Sequence, residues 1–246
     1  MTLALHHFPM PGSRPATETT QPPVVLLHGF TSSAQADYLA TGWVEALHDF
    51  GHPVIALDLP GHGASPAITR ASEATTSRVL AAIIDAVDEV APSEPFDVIG
   101  YSLGGRLAWD LPRHTDRVRK LVLGGMSPFE PFSAVDPSQL ASALDGTPSN
   151  NPLVDMMAGM ISAPGQDTAS LARLIPGLAS EPFQPDTRAP RVPTLLVAGD
   201  SDKMTHGIEE LADLLVDGSL SFVPGDHRGA LDSAEFRAAA LAFLNS

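Results

Sequence analysis

Phe96-Asp97-Val98-Ile99-Gly100-Tyr101-Ser102-Leu103-Gly104-Gly105-Arg106 is the stretch that decides the fold. A short apolar run leads into a glycine, a serine sits between two glycines, and apolar residues at helical spacing follow. The segment therefore reads as a strand, a tight turn carrying the serine, and a helix. A serine hydroxyl is a poor nucleophile in water, so a catalytic serine must be held exposed, near a base and beside donors that stabilise an oxyanion. A sharp strand-to-helix turn supplies that exposure at the cost of strained backbone angles and crowding. Glycines at 100 and 104 remove the side chains that would collide there, and Gly105 extends the slack. The helix that follows directs its free amides and the positive end of its dipole at the serine. GxSxG alone also occurs by chance in glycine-containing loops; the flanking strand and helix give it weight.

Two further groups are needed, and both lie downstream. Val192-Pro193-Thr194-Leu195-Leu196-Val197-Ala198-Gly199 reads as a buried strand followed by two acids, Asp200 and Asp202. A carboxylate at a strand's C-terminal end can orient an imidazole. Leu220-Ser221-Phe222-Val223-Pro224-Gly225 reads as another strand, followed by Asp226-His227-Arg228-Gly229 in a loop just before the last helix. Of nine histidines, His227 is the one placed in this late loop. His206 reads as a surface or capping residue, and Asp226 as a turn or helix cap.

The order Ser, Asp, His resembles that of the α/β-hydrolase family. Two segments of the first half strengthen the resemblance: Val24-Val25-Leu26-Leu27-His28-Gly29-Phe30, similar to the family's strand and oxyanion loop, and Asp58-Leu59-Pro60-Gly61-His62-Gly63, similar to its DxxGHG turn. The resemblance covers most of the chain and implies a catalytic triad of Ser102, Asp202 and His227. Asp202 is preferred to Asp200 because the family pattern at this strand end is Gly-x-x-Asp. It also implies an oxyanion hole formed by the backbone amides of Phe30 and Leu103. His28 fits a structural role, bonding the loop backbone.

Composition bounds the rest. A chain of 246 residues can form one large α/β domain. With 14 basic and 29 acidic residues the formal charge is −15, which repels polyanions and argues against nucleic acid as a partner. Cysteine is absent, which excludes disulfides, cysteine nucleophiles and thiolate metal sites. No leader-like start and no run of roughly 18 apolar residues is present, so the expectation is a soluble, cytoplasmic protein with no membrane association. No cofactor or metal is called for, and nothing sets an oligomeric state.

Alternating strand and helix patterns imply a mostly parallel sheet with helices on both faces. Strands are expected at 2–8, 24–28, 53–58, 96–99, 120–125, 192–199 and 220–225, and helices at 38–50, 71–90 and 103–111. A Pro/Thr-rich turn is expected up to residue 23. Residues 1–126 and 191–246 form the hydrolase core in this reading, and 127–190, rich in proline and without a convincing strand, form a small helical cap with helical pieces at 153–161 and 170–178. Phe129, Phe132, Met156, Met157, Met160 and Ile161 are candidate walls of an acyl or ring pocket, or simply pack the cap on the core. Trp43 and Trp109 read as core. Arg106, one turn into the elbow helix, could grip a substrate carboxylate or pair with an acid such as Asp110.

The segment around Arg106 is similar to that of the menaquinone-pathway synthases that eliminate pyruvate from a succinyl-cyclohexene carboxylate. Gly124-Gly125-Met126-Ser127, after the next strand, departs from their pattern. The expected function is thus a serine hydrolase that cleaves short- or medium-chain carboxylic esters through an acyl-enzyme, its partner a small-molecule ester. A lyase of the synthase type, a C–C or lactone hydrolase, and a non-catalytic ligand receptor are the alternatives.

Overall fold

The computed structural model describes residues 1–10 and 21–246. Most of the turn expected before residue 23 lies outside them. Seven strands, β1 (Ala4–Phe8), β2 (Val24–Leu27), β3 (Val54–Asp58), β4 (Phe96–Tyr101), β5 (Val118–Gly124), β6 (Thr194–Gly199) and β7 (Gly218–Val223), form one sheet in the order β1-β3-β2-β4-β5-β6-β7. Only β1 runs antiparallel to its neighbour; the other five pairings are parallel.

A parallel sheet is buried on both faces, so its strands are apolar throughout rather than alternating. Strands β2, β3, β4 and β6 are buried at every position. The pleat divides their side chains between two cores. Val25, Leu27, Ile55, Leu57, Val98, Leu121, Leu123 and Leu196 face one; Val24, Leu26, Val54, Ala56, Ile99, Val122, Leu195 and Val197 face the other. On the first face lie α2 (Thr76–Val90), with Val79, Leu80, Ile83 and Val87 on its apolar stripe, and α3 (Leu103–Asp110), with Leu107 and Trp109. The second is covered by α1 (Trp43–Asp49), through Trp43, Val44 and Leu47, and by α10 (Ala234–Leu244), through Phe236, Ala240 and Leu241.

The helix expected over 38–50 is divided. A wide turn spans Gln35–Leu39, and α1 starts only after Gly42, whose φ of 82° lies where other residues are strained. Likewise the pattern over 71–90 resolves into a single turn at Ala71–Glu73 and then α2.

Between β5 and β6 the described residues form four α-helices and no strand: α4 (Pro137–Leu144), α5 (Pro152–Ile161), α6 (Thr168–Ala179) and α7 (Pro185–Arg188). The sequence pattern predicts α5 and α6 and misses the other two. Asp136, Asn151 and Asp167 cap their helices by accepting backbone N–H groups, and proline occupies the first helical position of α4, α5 and α7. Both are start signals, since the first amides of a helix need acceptors or are best absent. Val154, Met157, Ile161, Leu171, Leu174 and Leu178 join the core on the first face, with α6 against the Ala71–Glu73 turn and α7 against α3. Two short helices, α8 (Ile208–Asp213) and α9 (His227–Asp232), complete the C-terminal part. No helix among the described residues is long and apolar enough to cross a membrane.

Candidate active site

Strand β4 is central in the sheet, and Ser102 follows it directly. Its backbone angles, φ 52° and ψ −111°, lie in a region rarely occupied by non-glycine residues, and strain of this kind is held only where the surroundings over-determine it. Here the Ser102 amide donates to the Gly124 carbonyl (2.8 Å) and its carbonyl accepts the Arg106 amide (2.9 Å). The neighbouring glycines permit the turn. A Cβ at Gly104 would lie 1.9 Å from the Leu27 carbonyl oxygen, and one at Gly100 would lie 2.5 Å from the Gly104 carbonyl oxygen.

Asp202 follows β6, its side chain almost wholly buried. Oδ1 accepts the Met204 amide (2.8 Å) and Oδ2 lies 2.7 Å from Nδ1 of His227. A carboxylate can only accept, so Nδ1 carries the proton and Nε2 presents its lone pair. His227 opens α9, which Asp226 caps by accepting the Gly229 amide (2.8 Å). The Tyr101 hydroxyl donates to the His227 carbonyl, and the two rings lie 5.2 Å apart. Asp200 takes a different part: Oδ1 accepts the Gly225 amide at 3.2 Å and the Ser201 hydroxyl at 3.1 Å, bracing the two turns. Ser102 and His227 both stand against the end of β5. The first is bonded to Gly124, and a Cβ at Gly125 would lie 2.9 Å from Cε1 of the second. Among the described residues the Ser102 hydroxyl makes no hydrogen bond; such contacts are often long in free enzymes and tighten when substrate binds.

The loop after β2 passes beside the serine: a Cβ at Gly29 would sit 3.6 Å from that of Ser102. Its backbone is secured on several sides. Nδ1 of His28 donates to the Gly29 carbonyl (2.7 Å) while Nε2 accepts the Leu59 amide (2.9 Å), and burial lowers the His28 pKa. His28 thus has the structural role read from the sequence. Asp37 accepts the Gly29 amide (2.9 Å), and His62 Nε2 accepts that of Thr31 (3.0 Å), a residue held at φ 57°. Burial, with His28 adjoining, pushes the His62 pKa down to about 3. The DxxGHG turn is structural too. Asp58 accepts the amides of Ala34 (2.8 Å) and Ala64 (2.9 Å), and Gly63, at φ 52°, leaves room for its carboxylate. No acceptor within the described residues takes the amides of Phe30 or Leu103.

Ser102 opens into a cavity of about 480 Å³ whose walls are mostly apolar. Phe30, Leu103, Arg106, Phe129, Met156 and Met160 line it, as do Phe132 and Met157, while Ile161 is buried in the core. Met126, Leu153, Phe183, Lys203 and Met204 also contribute, and the sequence reading does not place them in the cavity. Lys203 and Met204 directly follow Asp202, so their place in the wall follows from that of Asp202. His206 is exposed, as expected, but stands in the wall. Trp43 and Trp109 are core residues, also as expected.

The ion pair expected between Arg106 and Asp110 does not form. The Arg106 guanidinium donates through Nε (3.0 Å) and Nη2 (2.8 Å) to Glu130 Oε2 and stacks on the Phe132 ring. Asp110 has Arg188 at 3.7 Å instead. Glu130 also accepts the amides of Phe132 (2.9 Å) and Phe183 (2.6 Å), so the pair joins the β5–β6 segment to α3.

The sequence model of the alpha/beta hydrolase fold matches residues 22–150. The chain belongs to the α/β-hydrolase family. Among similar proteins is a pimeloyl-[acyl-carrier protein] methyl ester esterase of Neisseria meningitidis, 40% identical over 96 residues, or 35% of this chain and 34% of that protein. A 2-succinyl-6-hydroxy-2,4-cyclohexadiene-1-carboxylate synthase of Pectobacterium atrosepticum is 40% identical over 94 residues, 38% of this chain and 33% of that protein. These matches span about a third of either relative's length. Among solved structures, MenH from S. aureus superposes with a TM-score of 0.74 at 20% identity, covering 100% of this chain and 98% of that one. That likeness is one of fold. Ser102, Asp202 and His227 follow the carboxyl ends of β4, β6 and β7, where parallel sheets collect ligands.

Proposed function

We propose that this α/β hydrolase is a serine carboxylesterase acting on short- or medium-chain esters. The observation that carries the reading is the 2.7 Å pairing of Asp202 with Nδ1 of His227, which stands against Gly125, next to the Gly124 that holds the strained turn of Ser102. Nothing in simple ligand retention requires an activated serine, which disfavours a receptor role. Ser102 Oγ attacks the ester carbonyl carbon as its proton passes to His227 Nε2. Asp202 holds the imidazole in the required tautomer and stabilises the imidazolium, and the amides of Phe30 and Leu103 receive the oxyanion. Collapse of the tetrahedral intermediate breaks the carbon–oxygen bond, and the alcohol leaves with the proton from His227. Water, deprotonated by the same nitrogen, then attacks the acyl-enzyme, releasing the acid and restoring the serine. The substrate's apolar part occupies the cavity walled by Phe129, Met156 and Met160, where methionine adapts to varied shapes. In this reading residues 127–190 act as the cap over the hydrolase core.

Similarity to the Pectobacterium synthase supports a second reading, in which the triad serves as a base for elimination. In that reading Arg106, already paired with Glu130, is not the group that holds the substrate carboxylate, and Lys203 in the cavity wall is the cation left to do so. The test is hydrolysis of a nitrophenyl ester series from acetate to palmitate by the native chain and Ser102→Ala. Turnover that peaks at one chain length and vanishes in the variant is expected. A well-folded native protein that hydrolyses no member, yet eliminates pyruvate from the synthase substrate, overturns the esterase reading. Labelling of Ser102 by an organophosphonate separates either enzyme from a receptor.

A further inference from the structure

The geometry points to Asp37 and Arg228 as positioning residues that couple the two halves of the catalytic machinery, a role that rests on reading Ser102 as the nucleophile. Asp37 lies in the turn Gln35–Leu39 and is 2% exposed. A carboxylate so deeply buried needs several donors, because burial takes away the water that would otherwise solvate its charge. Its Oδ2 accepts the Gly29 amide (2.9 Å), and its Oδ1 accepts the Ser32 hydroxyl and Nη1 of Arg228. Two of these donors flank Phe30, whose amide the proposed mechanism uses. The third comes from the residue next to His227.

Arg228 is shaped for a junction. Its Nη2 donates to the Ala36 carbonyl (2.7 Å), and Nε and Nη2 reach Asp232 one turn along α9 (3.0 and 3.1 Å). The guanidinium thus holds α9 against the Gln35–Leu39 turn while the Asp37 carboxylate holds the loop after β2. Base and oxyanion donors come from segments nearly two hundred residues apart, and no backbone hydrogen bond of either segment's loop crosses directly between them among the described residues. A fork of fixed geometry meeting a buried carboxylate keeps them in register, which a flexible ammonium does less well. Misplacing an oxyanion donor or the base by a fraction of an ångström acts on the transition state, not on substrate binding, so the signature is a fall in kcat at constant KM.

The experiment compares native protein, Asp37→Asn, Arg228→Met and Arg228→Lys. It measures kcat and KM on the best nitrophenyl ester, the rate of Ser102 modification by a fluorophosphonate, and thermal unfolding. The half-exposed Arg228 variants test the idea even where Asp37→Asn does not fold. Arg228→Met is expected to lower kcat and the fluorophosphonate rate together by about 10- to 100-fold, less than the full loss of an oxyanion donor. KM should stay within about twofold, and Arg228→Lys should recover part of the rate. A folded Arg228→Met with native kcat and native labelling overturns the proposal, as does a change confined to KM. A native protein that labels at Ser102 but cleaves no ester refutes the ester substrate, while the labelling rates still judge Asp37 and Arg228. If native protein neither labels nor turns over, both readings fall.

Discussion

Replacing Arg106 with methionine separates an internal ion pair from a substrate grip. The two side chains of the Arg106–Glu130 pair are only 7% and 12% exposed. Without the guanidinium, Glu130 keeps the amides of Phe132 and Phe183 but carries an uncompensated buried charge. Breaking a buried pair from one side costs about 3–5 kcal/mol, whereas removing both partners together is often close to neutral. Arg106→Met should therefore lose about 3–5 kcal/mol in urea unfolding, and Arg106→Met/Glu130→Gln should recover most of it. The interaction energy from the double-mutant cycle should fall near the upper end of the usual range, about 2–3 kcal/mol. Because the pair also anchors the β5–β6 segment over the cavity, KM for a hydrophobic ester should rise in the single variant and move back in the double one. A stability change under about 1 kcal/mol in the single variant, with no recovery in the double, would refute the reasoning. Arg106 would then be free to bind a carboxylate, and the elimination activity would become the one to measure.

Asp202→Asn should lower kcat on nitrophenyl esters by about 10⁴-fold, since the amide favours the wrong imidazole tautomer, while Asp200→Asn should stay near native. Equal losses from the two would assign the orienting acid wrongly. His62 makes stability depend on pH: its folded pKa is about 3, so between pH 6.5 and 3 the unfolded chain binds a proton that the folded protein refuses. Stability is fully present above pH 6.5 and falls as pH drops towards 3, by about 3 kcal/mol between pH 6.5 and 4 from this group alone. His62→Gln should flatten that slope in urea titrations, and an unchanged slope would show that His62 does not contribute. Met160→Trp, filling the cavity wall, should move the preferred acyl chain to a shorter one without reducing the acetate rate; a uniform loss across the series would place Met160 outside the acyl path.

Much of the fold was legible because its signals are local. The strands that are buried on both sides read as continuous apolar runs, and Gly100 and Gly104 stand where a side chain would strike backbone within van der Waals distance. The break at Gly42 was harder to read, since apolar spacing continues across it and only the positive φ divides the helix. Helices α4 and α7 carry little apolar periodicity, but their proline at the first helical position was a usable start signal.

The order of the chemistry is written in local signals: a serine on a glycine-flanked turn, acids after a buried strand, a histidine before the last helix. Each depends on short-range sterics and periodicity that any window of the chain displays. Tertiary structure alone decided the partners. Arg106 meets Glu130 rather than Asp110, and Arg228 closes on Asp37 from the far end of the chain. Charged side chains are long and their attraction is not directional in sequence. Which pair forms is therefore settled only when the sheet and the segment over it bring particular groups together out of water, where an unpaired charge is most costly.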